Sequence, residues 1–170
     1  MRTSKFTPEQ MVHILRQGDS GVPVVEPTGG FKFGGWVAPF ADIDPVFGKE
    51  VGNLLGEPFD LLLGRRTYDI FAAHLPYAEG GPYDDIAKVF NRITKYVATR
   101  KGADLTWKGS VALRDAAKEV AKLKQEDGPA PITQRSTELV HCLLAASLVG
   151  EIRTFTYPEL LDKGKRLFDL

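Results

Sequence analysis

The stretch Phe59-Asp60-Leu61-Leu62-Leu63-Gly64-Arg65-Arg66-Thr67 decides how the rest of the chain is read. An apolar run of five or six residues closed by a glycine has the length and composition of a buried strand. Arg65 to Leu75 follows with Ile70, Phe71 and Leu75 on one side, which reads as a helix. A strand that passes through a glycine straight into a helix is the first half of a βαβ unit. Gly64 lets the chain turn sharply, and the free amides at the start of the helix would favour an anion. An arginine there can grip a phosphate with two parallel hydrogen bonds, and Thr67 adds a hydroxyl. Read locally, the same residues also suit two solvated arginines and a threonine that caps a helix.

The alternation continues outward on both sides. Residues 43–56 read as a helix, Pro82 to Phe90 as a shorter one, and Ile93 to Thr99 as a strand. Ser110 is placed to cap a helix whose stripe is Leu113, Ala116, Ala117, Val120 and Leu123. Pro131 to Thr133 reads as a brief strand, Thr137 to Leu148 as an amphipathic helix, and Glu151 to Tyr157 as a last strand. Strands separated by helices imply mostly parallel pairing, so the expected class is α/β. Ligands of open α/β sheets collect at the carboxyl ends of strands. The second such end is Thr99-Arg100-Lys101-Gly102, again cationic with a hydroxyl. The third is Gln134-Arg135-Ser136-Thr137-Glu138, where Ser136 is a fair N-cap and the helix start could hold a pyrophosphate. Two cationic ends side by side suit a ligand with separated phosphates, such as NADPH.

The segment before residue 28 has a different character. Thr7, Pro8 and Gln10 form a helix start with a capping box, Phe6 and Met11 stand where a hydrophobic staple would put them, and Gly18 can end the helix. The expected division is residues 1–27 as an N-terminal segment with one short helix and 28–170 as the α/β domain.

Composition narrows the function classes. The 170 residues carry 22 Lys plus Arg against 22 Asp plus Glu, which argues against a nucleic-acid or membrane-surface protein. Cys142, the single cysteine, has no internal partner for a disulfide and sits among leucines, so a buried thiol is expected. The N-terminus lacks the apolar core of a signal peptide and no stretch has the length of a membrane span, which makes cytoplasm the expected compartment. His13, His74 and His141 lack metal-ligand spacing, so no metal site is expected.

In this order the pieces resemble the dihydrofolate-reductase-like superfamily, and most of all proteins similar to the reductase domain of riboflavin biosynthesis. The resemblance covers roughly residues 28–169. It rests on Gly29-Gly30-Phe31-Lys32-Phe33-Gly34-Gly35-Trp36, on Leu61 to Phe71, on Lys95 to Arg100, on Ser136 to Val140 and on Lys163 to Phe168. It implies a three-layer αβα sandwich around a mixed, mostly parallel sheet. It also implies hydride transfer from NADPH to a small pterin- or pyrimidine-like heterocycle. The cofactor residues would be Gly64, Arg65, Arg66 and Thr67, then Thr99 and Arg100, then Gln134, Arg135, Ser136 and Thr137. Phe31 and Trp36 would lie on the substrate side, either stacking on a flat ring or anchoring a loop.

Three departures from that pattern bear on activity. The usual first strand and its acidic turn are replaced by Gly21 to Pro27, so no catalytic proton donor is assigned. Arg135 stands where relatives carry a glycine that lets the pyrophosphate approach. The final pair of strands after Phe168 is not found. A sheet left open in this way would favour self-association, as in a homodimer. Residues 5–26 resemble the start of the helix-turn-helix protein of insertion-sequence transposases, without a recognition helix. A reductase, an inactive homologue that keeps the fold, and a DNA-associated protein are therefore the readings to separate, in that order.

Overall fold

The computed structural model describes residue 49 and residues 52–53, 55–78, 84–100, 104–154 and 156. The chain divides into two compact units, and the sheet belongs to the one that holds Phe59–Tyr77 and Ala87–Arg153. The opening stretch forms β1 (Phe59–Gly64), followed directly by α1 (Arg65–Ala72) and a 3-10 turn at Leu75–Tyr77. Next come α2 (Asp84–Arg92), β2 (Lys95–Ala98) and β3 (Ser110–Leu113). The described elements end with α3 (Ala116–Leu123), β4 (Ala130–Ile132) and α4 (Thr137–Ala145).

The sheet has four strands in the order β3-β2-β1-β4, and every pair is parallel. Register is set at Leu62↔Tyr96, Tyr96↔Val111 and Leu61↔Ile132. β1 lies in the interior of the sheet because it is apolar on both faces: Leu61, Leu62 and Leu63 are each 2% exposed or less. Leu62 packs with Leu113, Val120, Leu139 and Leu143, so α3 and α4 cover its face. Phe59, three residues away and so on the opposite face of β1, meets Phe90 of α2 edge-on at 6.1 Å, and Phe71 of α1 lies 6.1 Å from the same ring. Helices thus cover both faces, the layering of a three-layer α/β fold.

Several expectations change. Ser110 does not cap a helix. Ser110–Leu113 is the edge strand β3, and Leu113 faces the core from a strand. Four residues with Val111 44% exposed give no periodicity to read, and Leu113 happens to extend the helical stripe that follows. The cap of α3 is Asp115, whose carboxylate accepts from Lys118 N at 3.1 Å while Asp115 N donates to Glu119 at 2.9 Å. α1 ends at Ala72 rather than Leu75. No strand forms at residues 151–154 or at 156, which were read as part of a final strand. The described sheet is all-parallel where the resemblance implied a mixed one. Cys142 is exposed, not buried, because the inward stripe of α4 runs through Leu139 and Leu143 and leaves residue 142 on the flank. In the 43–56 helix the described positions 49, 52–53 and 55–56 are helical. The N-terminal helix, Gly21 to Pro27, the division at residue 28, Phe31 and Trp36 lie outside the described residues.

Candidate functional site

All strands being parallel, their carboxyl ends share one edge of the sheet, and the three nominated segments gather there. Gly64 ends β1 beside Ala98, the last residue of β2, so Thr99 and Arg100 stand next to Gly64-Arg65. β4 lies on the other side of β1 and leads through Thr133 and Gln134 into α4. From β1 the chain passes to β2 and β3 on one side and later reaches β4 on the other. The strand order therefore reverses between β1 and β4, and the carboxyl side of such a reversal is where α/β sheets open a ligand crevice.

Ser136 joins the two sides of that reversal. Its Oγ accepts from Gly64 N at 3.0 Å and lies 3.1 Å from Thr67 Oγ1 and 3.2 Å from Gln134 O. Ser136 and Thr67 are buried, at 6% and 7% exposure. Ser136 occupies the N-cap position of α4 as read from the sequence, yet its side chain caps nothing and is used for this tertiary link. A Cβ at Gly64 would stand 3.4 Å from both Cβ and Oγ of Ser136. Glycine at 64 therefore permits the close approach of β1 to the start of α4, and its φ of −70° asks for no special conformation.

The cations are arranged around this link. Arg65 Nε donates to both carboxylate oxygens of Asp69, at 2.8 and 3.0 Å, and its guanidinium lies 5.9 Å from the Tyr68 ring centre. Both partners of this i,i+4 pair are substantially exposed, so the pair adds little stability and can be exchanged for another anion at little cost. Arg66, Arg100 and Arg135 are exposed. Arg135 has a left-handed backbone with φ 61°, a conformation that costs a residue with a Cβ about 1–2 kcal/mol. Thr137 opens α4, with Glu138 as an acidic residue in its first turn.

Two features were missed by reading the sequence. Thr133, one residue past β4, carries a buried Oγ1 with no hydrogen-bond partner. Buried hydroxyls are rarely left so, and an orphan at the carboxyl edge of a parallel sheet is a ready donor or acceptor. No local signal marks it, because its burial depends on how β4 meets α4. The other is the Arg65–Asp69 ion pair, which the four-residue spacing of the two residues signals. Among the described residues no group of His, Cys, Asp or Glu could hold a metal ion, and no helix is long and apolar enough to cross a membrane.

The residues present fit phosphate groups: three strand ends, two helix starts, exposed guanidinium groups and an unpaired hydroxyl on one edge. The protein is an α/β chain whose parallel four-stranded sheet carries these segments at its carboxyl edge, and no protein-family model and no curated protein matches its sequence.

Proposed function

We propose that the carboxyl edge of this sheet binds the phosphates of NADPH and that the protein is an NADPH-dependent reductase of a pterin- or pyrimidine-like heterocycle. The observation that carries the proposal is the meeting of β1 and β4 at a reversal of strand order, through Gly64, Thr67 and Ser136. Bound NADPH would supply the hydride. The chain's own residues would fix the dinucleotide: Arg65 and Arg66 as phosphate ligands at the start of α1, Thr99 and Arg100 beside the adenosine end, and Gln134 to Thr137 along the pyrophosphate. Thr133 Oγ1 supports the same reading, since a bound ligand would satisfy it.

The test is a titration with NADPH and with NADH, followed by nicotinamide fluorescence, on the wild type and on Arg65→Ala/Arg66→Ala. Binding of NADPH that the double variant loses, with turnover of a heterocyclic substrate, supports the reductase. Absence of binding to folded wild type defeats it.

A specific observation favours a second reading, an inactive homologue that keeps the fold. Arg135 holds a left-handed backbone at the position where the resemblance places a glycine. A glycine there gives a phosphate access to the backbone, whereas a residue with a long side chain can obstruct that approach. Arg135→Gly that restores NADPH binding to a non-binding wild type would establish this second reading.

A further inference from the structure

The amino ends of the strands hold a buried charge that the nucleotide proposal does not use. Lys95 opens β2 and is 0% exposed. Its ammonium donates to the carbonyls of Phe90 and Ile93 at 2.9 Å each and of Asn91 at 3.4 Å. These carbonyls belong to the C-terminal end of α2 and the residue beyond it, where a helix leaves acceptors unmet and concentrates negative charge. The Trp107 ring closes another side, with its centre 4.7 Å from Nζ, inside cation–π range. At Gly109 a Cβ would stand 3.4 Å from Nζ, and the φ of +80° is one that side chains rarely adopt.

Trp107 is itself held from several elements. Its backbone N–H donates to Tyr68 Oη at 2.9 Å and its indole Nε1 to Asn91 Oδ1 at 2.6 Å. Ser110 Oγ donates to the Trp107 carbonyl at 2.6 Å, and Asn91 Nδ2 donates to Leu75 O at 3.2 Å. One ammonium therefore sits at the centre of a network that joins α1, α2, β2 and the segment before β3.

We propose that Lys95 is a proton-operated latch, whose charged form pins Trp107 against the end of α2 and whose deprotonation loosens that contact. The ammonium has three donors for three carbonyls. A neutral amine has two, so one carbonyl loses its partner, and the new lone pair faces either a carbonyl oxygen or the negative face of the indole. Burial drives the proton off, bringing the group from 10.5 to about 8 against the opposing attraction of Asp60 on β1. Around it, α1 contributes the Tyr68 hydroxyl by way of Trp107, α2 and the residue beyond it the three carbonyls and the Asn91 amide, the segment before β3 the indole, and β3 itself Ser110.

The experiment follows Trp107 emission in a Trp36→Phe background from about pH 6.5 to about pH 10, beside the 13Cε resonances of labelled lysines. Circular dichroism monitors the fold throughout. The expected result is one lysine titrating at least about one unit below the others, with a Trp107 emission change at the same midpoint. Both disappear in Lys95→Met. If that variant does not fold, the wild-type titration decides alone. Lysines that all titrate in the ordinary range overturn the proposal. So does Trp107 emission that stays constant while Lys95 titrates, or a transition that persists in folded Lys95→Met.

Discussion

Ser147 sits just beyond α4 with φ 56°, in the left-handed region. Its N–H donates to Leu144 O at 3.0 Å, and Leu148 N donates to Leu143 O at 2.9 Å. Those two bonds make a Schellman ending, with Leu148 turned back onto the core that contains Leu143. Glycine is the usual residue at such a position, since a Cβ costs about 1–2 kcal/mol there and glycine's extra freedom when unfolded recovers only about 0.5–1 kcal/mol of that. Ser147→Gly is therefore expected to raise stability by about 0.5–1 kcal/mol, read as a higher urea midpoint at unchanged slope. Arg135→Gly should give a similar gain, because φ is 61° there. A loss of stability in either variant would mean that the side chain makes a contact worth more than the backbone strain.

Tyr68 shows how one element is fastened to others. It stands on α1, is 1% exposed, and its hydroxyl accepts from Trp107 N at 2.9 Å. Tyr68→Phe keeps the ring in place and leaves a buried N–H without a partner, which costs about 1–3 kcal/mol. Urea unfolding checks the number, and hydrogen exchange should show early loss of protection at Trp107. The cap of α3 offers a milder case. Asp115→Ala removes the acceptor for Lys118 N, with an expected cost of about 1 kcal/mol, whereas Ser110→Ala should leave α3 unaffected because Ser110 belongs to β3. Element by element, β1, β2 and the brief β4 were legible, and β3 was not. β1 declared itself through four apolar residues and a glycine. β3 was hidden because its four residues face partly to solvent, and its one core residue falls in step with a helix.

For the whole molecule, the linkage between protons, ligand and folding gives two checks. Burial lowers Lys95 to about 8 from its ordinary 10.5. Between those values the unfolded chain holds a proton that the folded chain has released, so stability rises with pH across this window. Below pH 8 the fold bears the cost of a buried charge. Relative to Lys95→Met, the wild type should gain on the order of 1 kcal/mol per pH unit in that window. The comparison belongs below pH 10, because burial raises Tyr96 above its ordinary 10.0 and its ionisation then takes stability away as pH rises further. The second check is ligand linkage. NADPH at about one hundred times its dissociation constant should stabilise the protein by about 2.7 kcal/mol, and NADH at the same concentration by less. Equal shifts from both would remove the 2′-phosphate from the proposal.

The sequence by itself determined the α/β class, the existence of β1, α1, β2 and α4, and the cationic, hydroxyl-bearing strand ends. Periodicity, turn chemistry and caps are local properties, and a reader needs only neighbouring residues to find them. Tertiary structure alone decided that β4 lies on the far side of β1. That placement turned Ser136 from a helix cap into the link between Gly64 and Thr67 and buried the Thr133 hydroxyl. It also decided that Lys95, a charge in an otherwise ordinary strand, has no exposed surface. Strand order and burial arise from residues tens of positions apart competing for the same space. No local pattern carries that information.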